Sequence, residues 1–245
     1  MNQKKGSTEN LIVLIGGTSS LGLALLSQYL LIKKTKIILA CKDYKKYIST
    51  TSFVQDTSRI SFFEYNALNN DNSKLIKILK ANKGVNITVI YLPGIKEEGL
   101  NNFNNVIKIN FIQPIALYET LKKEILHFTY IIIGSQGDIH SSSISPTYNS
   151  TKLALSNYFE SVIYTKNKYH SVFFIKPWLF SSRMTNSSKI KTLLSSDVKK
   201  LAKYILSKSK GKSKYILYPR HTYFLVNSIK LISKRLLYLI LRKTN

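Results

Sequence analysis

Cysteine is nearly absent from this 245-residue chain. Cys41 stands alone, so no internal disulfide can form, and a reducing compartment is the natural setting. The four histidines are scattered without metal-ligand spacing, which argues against a zinc or iron centre. Proline is scarce, and no stretch rich in Pro, Gly or Ser divides the chain, so a multidomain organisation with flexible linkers is excluded. Long apolar runs are missing. The start, Met1–Asn10, is polar, and the first apolar run, Leu11–Ile15, is too short for a leader or a membrane span. The expected location is therefore cytoplasmic. Acidic residues are few, 12 against 37 Lys and Arg, for a formal net charge of +25.

That charge is uneven. From Lys189 onward there are 15 basic residues and a single acid, Asp197. Four explanations compete: nucleic acid, an anionic membrane surface, an anionic substrate, or the compositional drift of a chain rich in Lys, Asn, Ile and Ser.

Apolar residues form short runs that alternate with longer amphipathic stretches. Seven runs read as strands: Leu11–Gly16, Lys36–Cys41, Ile60–Tyr65, Val85–Leu92, Thr129–Ser135, Ser171–Lys176 and Lys214–Tyr218. Most lack polar alternation, as expected for strands covered on both faces. Helices are expected over Ser20–Lys33, Asp71–Lys83, Asn102–Leu126, Pro146–Lys166 and Ser195–Ser207. This order predicts an α/β fold, a Rossmann-type doubly wound parallel sheet. The organisation expected is a polar extension over 1–10, one domain over 11–220, and a basic amphipathic tail over 221–245.

The first strand runs into Gly16-Gly17-Thr18-Ser19-Ser20-Leu21-Gly22 and then a helix. A nucleotide pyrophosphate needs such a turn, with little side-chain obstruction and free amides at a helix N-terminus. Gly16, Thr18, Ser19, Ser20, Leu21 and Gly22 are the candidates on that side. Lys42, at the end of the second strand, stands where an acid favours NAD and a base accommodates the 2′-phosphate of NADP, so NADP(H) is expected over NAD(H); Asp43 follows it.

Reduction of a carbonyl needs a proton donor at its oxygen. Tyr148 and Lys152, four apart on one face of a helix, place an ammonium where it eases departure of a phenol proton. Ser135, thirteen residues earlier at a strand end, can steady charge on the substrate oxygen.

Together these features resemble the short-chain dehydrogenase/reductase family. The family's Gly-x-x-x-Gly-x-Gly falls on Gly16, Ser20 and Gly22, with Ser20 in place of the middle glycine. Its catalytic set falls on Asn110, Ser135, Tyr148 and Lys152. The resemblance further implies cofactor contacts from Asn66, Gly94, Tyr148, Lys152, Pro177 and Ser182, where Asn66 replaces the usual Asp and Trp178 replaces the Gly after Pro177.

Three stretches are similar, more narrowly, to decaprenylphosphoryl-2-keto-pentose reductases and related envelope-glycan enzymes. They are Leu14 to Ala24, Lys176 to Thr185, and the basic tail after Arg220. That likeness implies a keto-sugar carried on a polyprenyl phosphate. The tail fits it, because Leu225, Ile229, Ile232, Leu236 and Leu239 fall on one helical stripe among Lys and Arg, as at an anionic membrane surface. The alternatives are a soluble ketoreductase for acyl or small carbonyl substrates, and a non-catalytic Rossmann protein that senses dinucleotide or binds nucleic acid. The complete four-residue set disfavours the last. A helix that closes the sheet or joins a homo-oligomer is the other reading of the tail.

Overall fold

A computed structural model of the chain describes residues 9–52, 54, 56–69, 71–96, 100–136, 145–165, 167–178, 197–220, 224 and 228. Seven strands form one parallel sheet: β1 (Asn10–Ile15), β2 (Thr35–Cys41), β3 (Ile60–Glu64), β4 (Asn86–Tyr91), β5 (Phe128–Ile133), β6 (His170–Pro177) and β7 (Lys214–Tyr218). Their order is β3-β2-β1-β4-β5-β6-β7. The seven expected runs all become strands, each within one or two residues of its expected bounds. The sequence order reverses between β1 and β4, and a crevice opens at such a switch point above the strand ends.

The inner strands β2, β1, β4, β5 and β6 are covered on both faces, which is why their residues are apolar in continuous runs, whereas the edge strands β3 and β7 bury one residue each. In β1, Val13, Leu14 and Ile15 are completely buried, each worth about 1.5–3 kcal/mol relative to exposure. Alternate residues of the sheet join two cores. Val13, Ile15, Val89, Tyr130 and Phe174 pack under α3 (Ser73–Ala81), α5 (Gln113–Glu124) and α6 (Pro146–Tyr164). Leu14, Leu39, Phe173 and Ile175 pack under α1 (Ser20–Leu30) and the helix over Val198–Lys208.

Four features depart from the sequence reading. First, α1 stops at Leu30 instead of Lys33, because the chain must reverse into β2 and does so through Lys34 in the left-handed region, at φ 55°. Second, a further helix, α2 (Tyr44–Thr51), follows β2. It buries only Thr51 and therefore shows no apolar stripe; Asp43 starts it as N-cap. Third, the long helix expected over Asn102–Leu126 is three pieces: α4 (Leu100–Ile107), a π-helical segment (Lys108–Ile112) and α5. Fourth, the helix expected from Ser195 is α7 (Val198–Lys208), which begins where the Asp197 side chain accepts from the Lys199 amide. Of the tail, only Phe224 and Ser228 belong to the described residues, so its amphipathic helix lies outside them.

At the N-terminal edge of the sheet, His170 is buried. Its Nε2 lies 3.0 Å from the Tyr118 hydroxyl, and its ring stacks on Phe128 at 4.8 Å. Burial pushes the imidazole below its ordinary value of 6.5, Lys122 adds to this, and Glu119 opposes it. The folded protein thus binds fewer protons here than the unfolded chain. The stability His170 confers is complete above about pH 6.5 and is lost as pH falls through that value toward the depressed one. Denaturant unfolding at pH 8 and pH 5 is expected to show a loss of stability on acidification that shrinks in His170→Gln. An unchanged acid slope in that variant would assign the loss elsewhere.

Candidate active site

The turn between β1 and α1 is built by close packing. Gly16 has φ +74°, and a Cβ there would lie 3.3 Å from Pro93, at the end of the neighbouring β4. At Gly22 a Cβ would fall 2.3 Å from the Gly17 carbonyl oxygen, so α1 can rest on the turn only through a glycine. Gly17 itself is closed in by Leu39 and the Leu14 carbonyl. Ser19 caps the helix, its Oγ accepting from the Gly22 amide at 3.1 Å. The helical ladder begins with the Leu23 amide on the Ser19 carbonyl, at 2.8 Å. The amides of Ser20 and Leu21 precede that first bond and have no carbonyl one turn back, the arrangement that receives a phosphate.

The expected residues divide accordingly. Thr18 and Ser19 are half-buried in the turn, and Ser20 is exposed at the first helical position, so the missing middle glycine costs no packing. Leu21 has its side chain in the core, 4% exposed. It can offer a ligand only its backbone, because the helix turns that side chain onto the sheet.

Beyond β2, Lys42 is exposed. Asp43 is committed elsewhere, since its carboxylate accepts from the Lys45 and Lys46 amides at 2.9 and 3.4 Å. The end of β2 therefore presents Lys42, Lys45 and Lys46 with its one acid engaged in capping. Asn66 closes a small turn after β3, its Oδ1 accepting from the Leu68 amide at 3.0 Å.

At the other side of the crevice, four elements converge. Asn110 is 1% exposed within the π-helical segment. Its carboxamide clasps the backbone of Ile95, accepting from the Ile95 amide at 3.0 Å and donating to its carbonyl at 2.8 Å. It also reaches the Thr151 hydroxyl at 3.4 Å. The widened helical turn leaves the Ile109 carbonyl to accept from the Tyr91 hydroxyl at 2.9 Å. From α6, the Lys152 ammonium is buried, donates to the Ile133 carbonyl at 3.1 Å, and lies 5.8 Å from the centre of the Tyr148 ring. Gly94 sits between these groups, where a Cβ would lie 3.6 Å from both Asn110 Oδ1 and Lys152 Nζ. Ser135 is half-buried, two residues beyond the carbonyl that holds Lys152. Pro177 ends β6, buried and paired with Tyr218. Ser182 lies outside the described residues.

Gly94, Asn110, Tyr148 and Lys152 are thus brought together, with Ser135 at the adjoining strand end. Four neighbours had no role in the sequence reading: Gly17, Thr151, Gln136 and Lys176. Gly17 was legible, being the second glycine of a Gly-Gly pair in a strand-to-helix turn. Lys176 is only 4% exposed, with its ammonium 5.5 Å from the centre of the Tyr215 ring. A lysine preceding a strand-end proline carries no local sign of such burial. Among the described residues there is no cluster of potential metal ligands, and no helix is long and apolar enough to cross a membrane.

No protein-family model matches the chain, and no curated protein matches it in sequence. Solved structures do match in shape. A Burkholderia phymatum short-chain dehydrogenase/reductase in complex with NAD aligns with a TM-score of 0.74 at 13% identity, covering 90% of this chain and 92% of its own. A Brucella melitensis short-chain dehydrogenase/reductase, named a glucose/ribitol dehydrogenase, aligns at 0.73 and 15% identity, covering 86% and 95%. The Pseudomonas aeruginosa RhlG/NADP active-site complex aligns at 0.73 and 14% identity, covering 89% and 98%.

The fold is that of the short-chain dehydrogenases/reductases.

Within this short-chain fold, the β1–α1 turn and the Asn110–Lys152 group stand at the same end of the sheet, above the strand ends. The residues fit a nicotinamide dinucleotide. The turn offers helix N-terminal amides, those of Ser20 and Leu21, which meet no partner among the described residues and can receive a pyrophosphate.

Proposed function

We propose that this chain is an NAD(P)H-dependent oxidoreductase that interconverts a carbonyl and an alcohol, acting on the keto group of a sugar. The observation that carries the reading is the buried Lys152 ammonium, held on the Ile133 carbonyl beside the Tyr148 ring and backed by Asn110. A buried cation next to a phenol stabilises the phenolate left when its proton departs.

The amides of Ser20 and Leu21 and the hydroxyls of Thr18 and Ser19 would hold the pyrophosphate of the dinucleotide. Asn66 and Gly94 would border the nucleoside parts and Pro177 the nicotinamide; Ser182, outside the described residues, keeps the nicotinamide contact that the family resemblance implies. When bound, the dinucleotide supplies or accepts the hydride. Tyr148 donates its hydroxyl proton to the carbonyl oxygen as that oxygen becomes an alcohol. Ser135 donates a hydrogen bond to the same oxygen and steadies its developing charge. Asn110 is a positioning residue, fixing the Ile95 backbone against α6. The test is oxidation of NADPH and NADH against a panel of keto-sugars and simple ketones. Turnover of neither cofactor with any carbonyl would overturn the reading.

The finer substrate is a keto-sugar on a lipid carrier in cell-envelope glycan synthesis, met at an anionic membrane surface through the basic tail. Its support is the charge of the final quarter, together with the glucose/ribitol dehydrogenase name borne by one protein of the same fold.

NADPH is the preferred reductant in this proposal, because Lys42, Lys45 and Lys46 stand together and Asp43 is engaged as a cap. Lys42→Asp is expected to lower the ratio of kcat/KM for NADPH over NADH by about ten- to a hundredfold, as for loss of a charge-assisted hydrogen bond. An unchanged ratio would show that Lys42 faces only solvent.

A further inference from the structure

Gln136 follows Ser135 at the C-terminal end of β5 and is 2% exposed. Its Nε2 donates to two backbone carbonyls, those of Lys176 and Tyr218, each at 3.0 Å. These carbonyls belong to the last turns of the ladder between β6 and β7, where Pro177 pairs with Tyr218. The double contact fixes the amide's orientation, since an oxygen in that place would face two other oxygens. Both hydrogens of the nitrogen are consumed. Because the amide is planar, fixing the nitrogen fixes the direction of Oε1 as well.

That oxygen is buried and meets no donor among the described residues. Buried polar atoms without partners are rare in folded proteins, and each one in a native structure calls for a reason. Here the orphan is a rigid acceptor on the residue next to Ser135, at the strand ends that border the crevice. A carbonyl-reducing site gains discrimination from such an atom. A substrate that donates to it satisfies it, whereas a substrate that cannot leaves it desolvated and unpaired.

We propose that Gln136 Oε1 is a specificity-determining acceptor for a hydroxyl of the substrate, one standing near the reacting carbonyl, so that the enzyme selects hydroxy-ketones. The inference rests on the proposed carbonyl chemistry and narrows it to substrates of the polyhydroxylated, sugar-like class. Gln136 takes no part in proton or hydride transfer. It acts by binding alone, and its amide, being uncharged, accepts a hydrogen bond from a hydroxyl without favouring a cationic substrate.

The experiment compares kcat/KM for two hydroxy-ketones, 1-hydroxy-2-butanone and 4-hydroxy-2-butanone, with the values for their methyl ethers. The ethers keep the oxygen and its inductive effect but cannot donate. In the wild-type protein at least one hydroxy-ketone is expected to exceed its ether by about ten- to a hundredfold. In Gln136→Met, which keeps the volume and removes the acceptor, that advantage is expected to fall to within about threefold. If Gln136→Met does not fold, Gln136→Asn serves in its place, because it draws the oxygen back by one methylene. Parity in the wild type overturns the proposal, and so does an advantage that survives in the variant; either leaves the carbonyl chemistry standing. Absence of NAD(P)H oxidation with all four ketones and with the keto-sugar panel, together with intact dinucleotide binding, overturns the reading of function and this inference with it.

Discussion

Tyr148→Phe is expected to lower kcat by about a hundred- to ten-thousandfold, the range for loss of a positioned general acid. Dinucleotide affinity should stay within about threefold of the wild type, because the phenol lies on α6 while the pyrophosphate candidates lie on the β1–α1 turn. The substitution removes one hydroxyl and keeps the ring. The 5.8 Å approach of the Lys152 ammonium to that ring can therefore persist, and the loss reports on the proton. Steady-state oxidation of NADPH with a keto substrate, paired with a fluorescence titration of the dinucleotide, separates the two quantities. Near-normal turnover in Tyr148→Phe would sink the assigned chemistry. Equal loss of turnover and cofactor affinity would point to a collapsed site instead.

Gly22→Ala should damage a different property. The added methyl group would meet the Gly17 carbonyl oxygen at 2.3 Å, its carbonyl carbon at 2.5 Å and its Cα at 2.6 Å, all of them backbone. No side chain can swing aside to relieve the clash, so α1 or the turn must move. Overpacking of this kind costs about 1–3 kcal/mol. For a chain of this size that corresponds to a fall in Tm of about 2–12 °C. The shift also displaces the amides of Ser20 and Leu21, so dinucleotide affinity should drop at least tenfold, since contacts to a phosphate are charge-assisted. Ser20→Gly is the control. Ser20 is exposed, and its replacement should leave Tm within about 2 °C. A Gly22→Ala protein that melts and binds like the wild type would show that the turn is not the rigid cradle described.

The seven strands were legible because a parallel sheet covered on both faces demands continuous apolar runs, and β1, β4 and β5 consist of little else. The spacing of Tyr148 and Lys152 was legible because four residues on a helix bring side chains onto one face whatever the surroundings. By contrast, α2 left no stripe to find: Tyr44 is 56% and Ile48 48% exposed, and its start depends on the Asp43 cap. The π-helical turn at Asn110 was equally invisible. The helix there widens to let one carboxamide clasp Ile95, fifteen residues away, and no local pattern encodes that bond. Nothing in the sequence around Asp43 says that its carboxylate is spent on a helix end; only its hydrogen bonds to the Lys45 and Lys46 amides show it.

What the sequence determined by itself was therefore whatever depends on periodicity and on turns closed within a few residues: the α/β order, the glycine turn, and the face shared by Tyr148 and Lys152. The tertiary structure alone decided which carbonyl holds the lysine, which acid is engaged, and which polar atom is left over. The Ile133 carbonyl reaches Lys152 across 19 residues, and the Tyr218 carbonyl reaches Gln136 across 82. The reason is physical. A hydrogen bond is satisfied or orphaned by whatever the fold brings within about 3 Å, and in a sheet wound β3-β2-β1-β4-β5-β6-β7 the neighbours at the strand ends come from segments far apart in the chain.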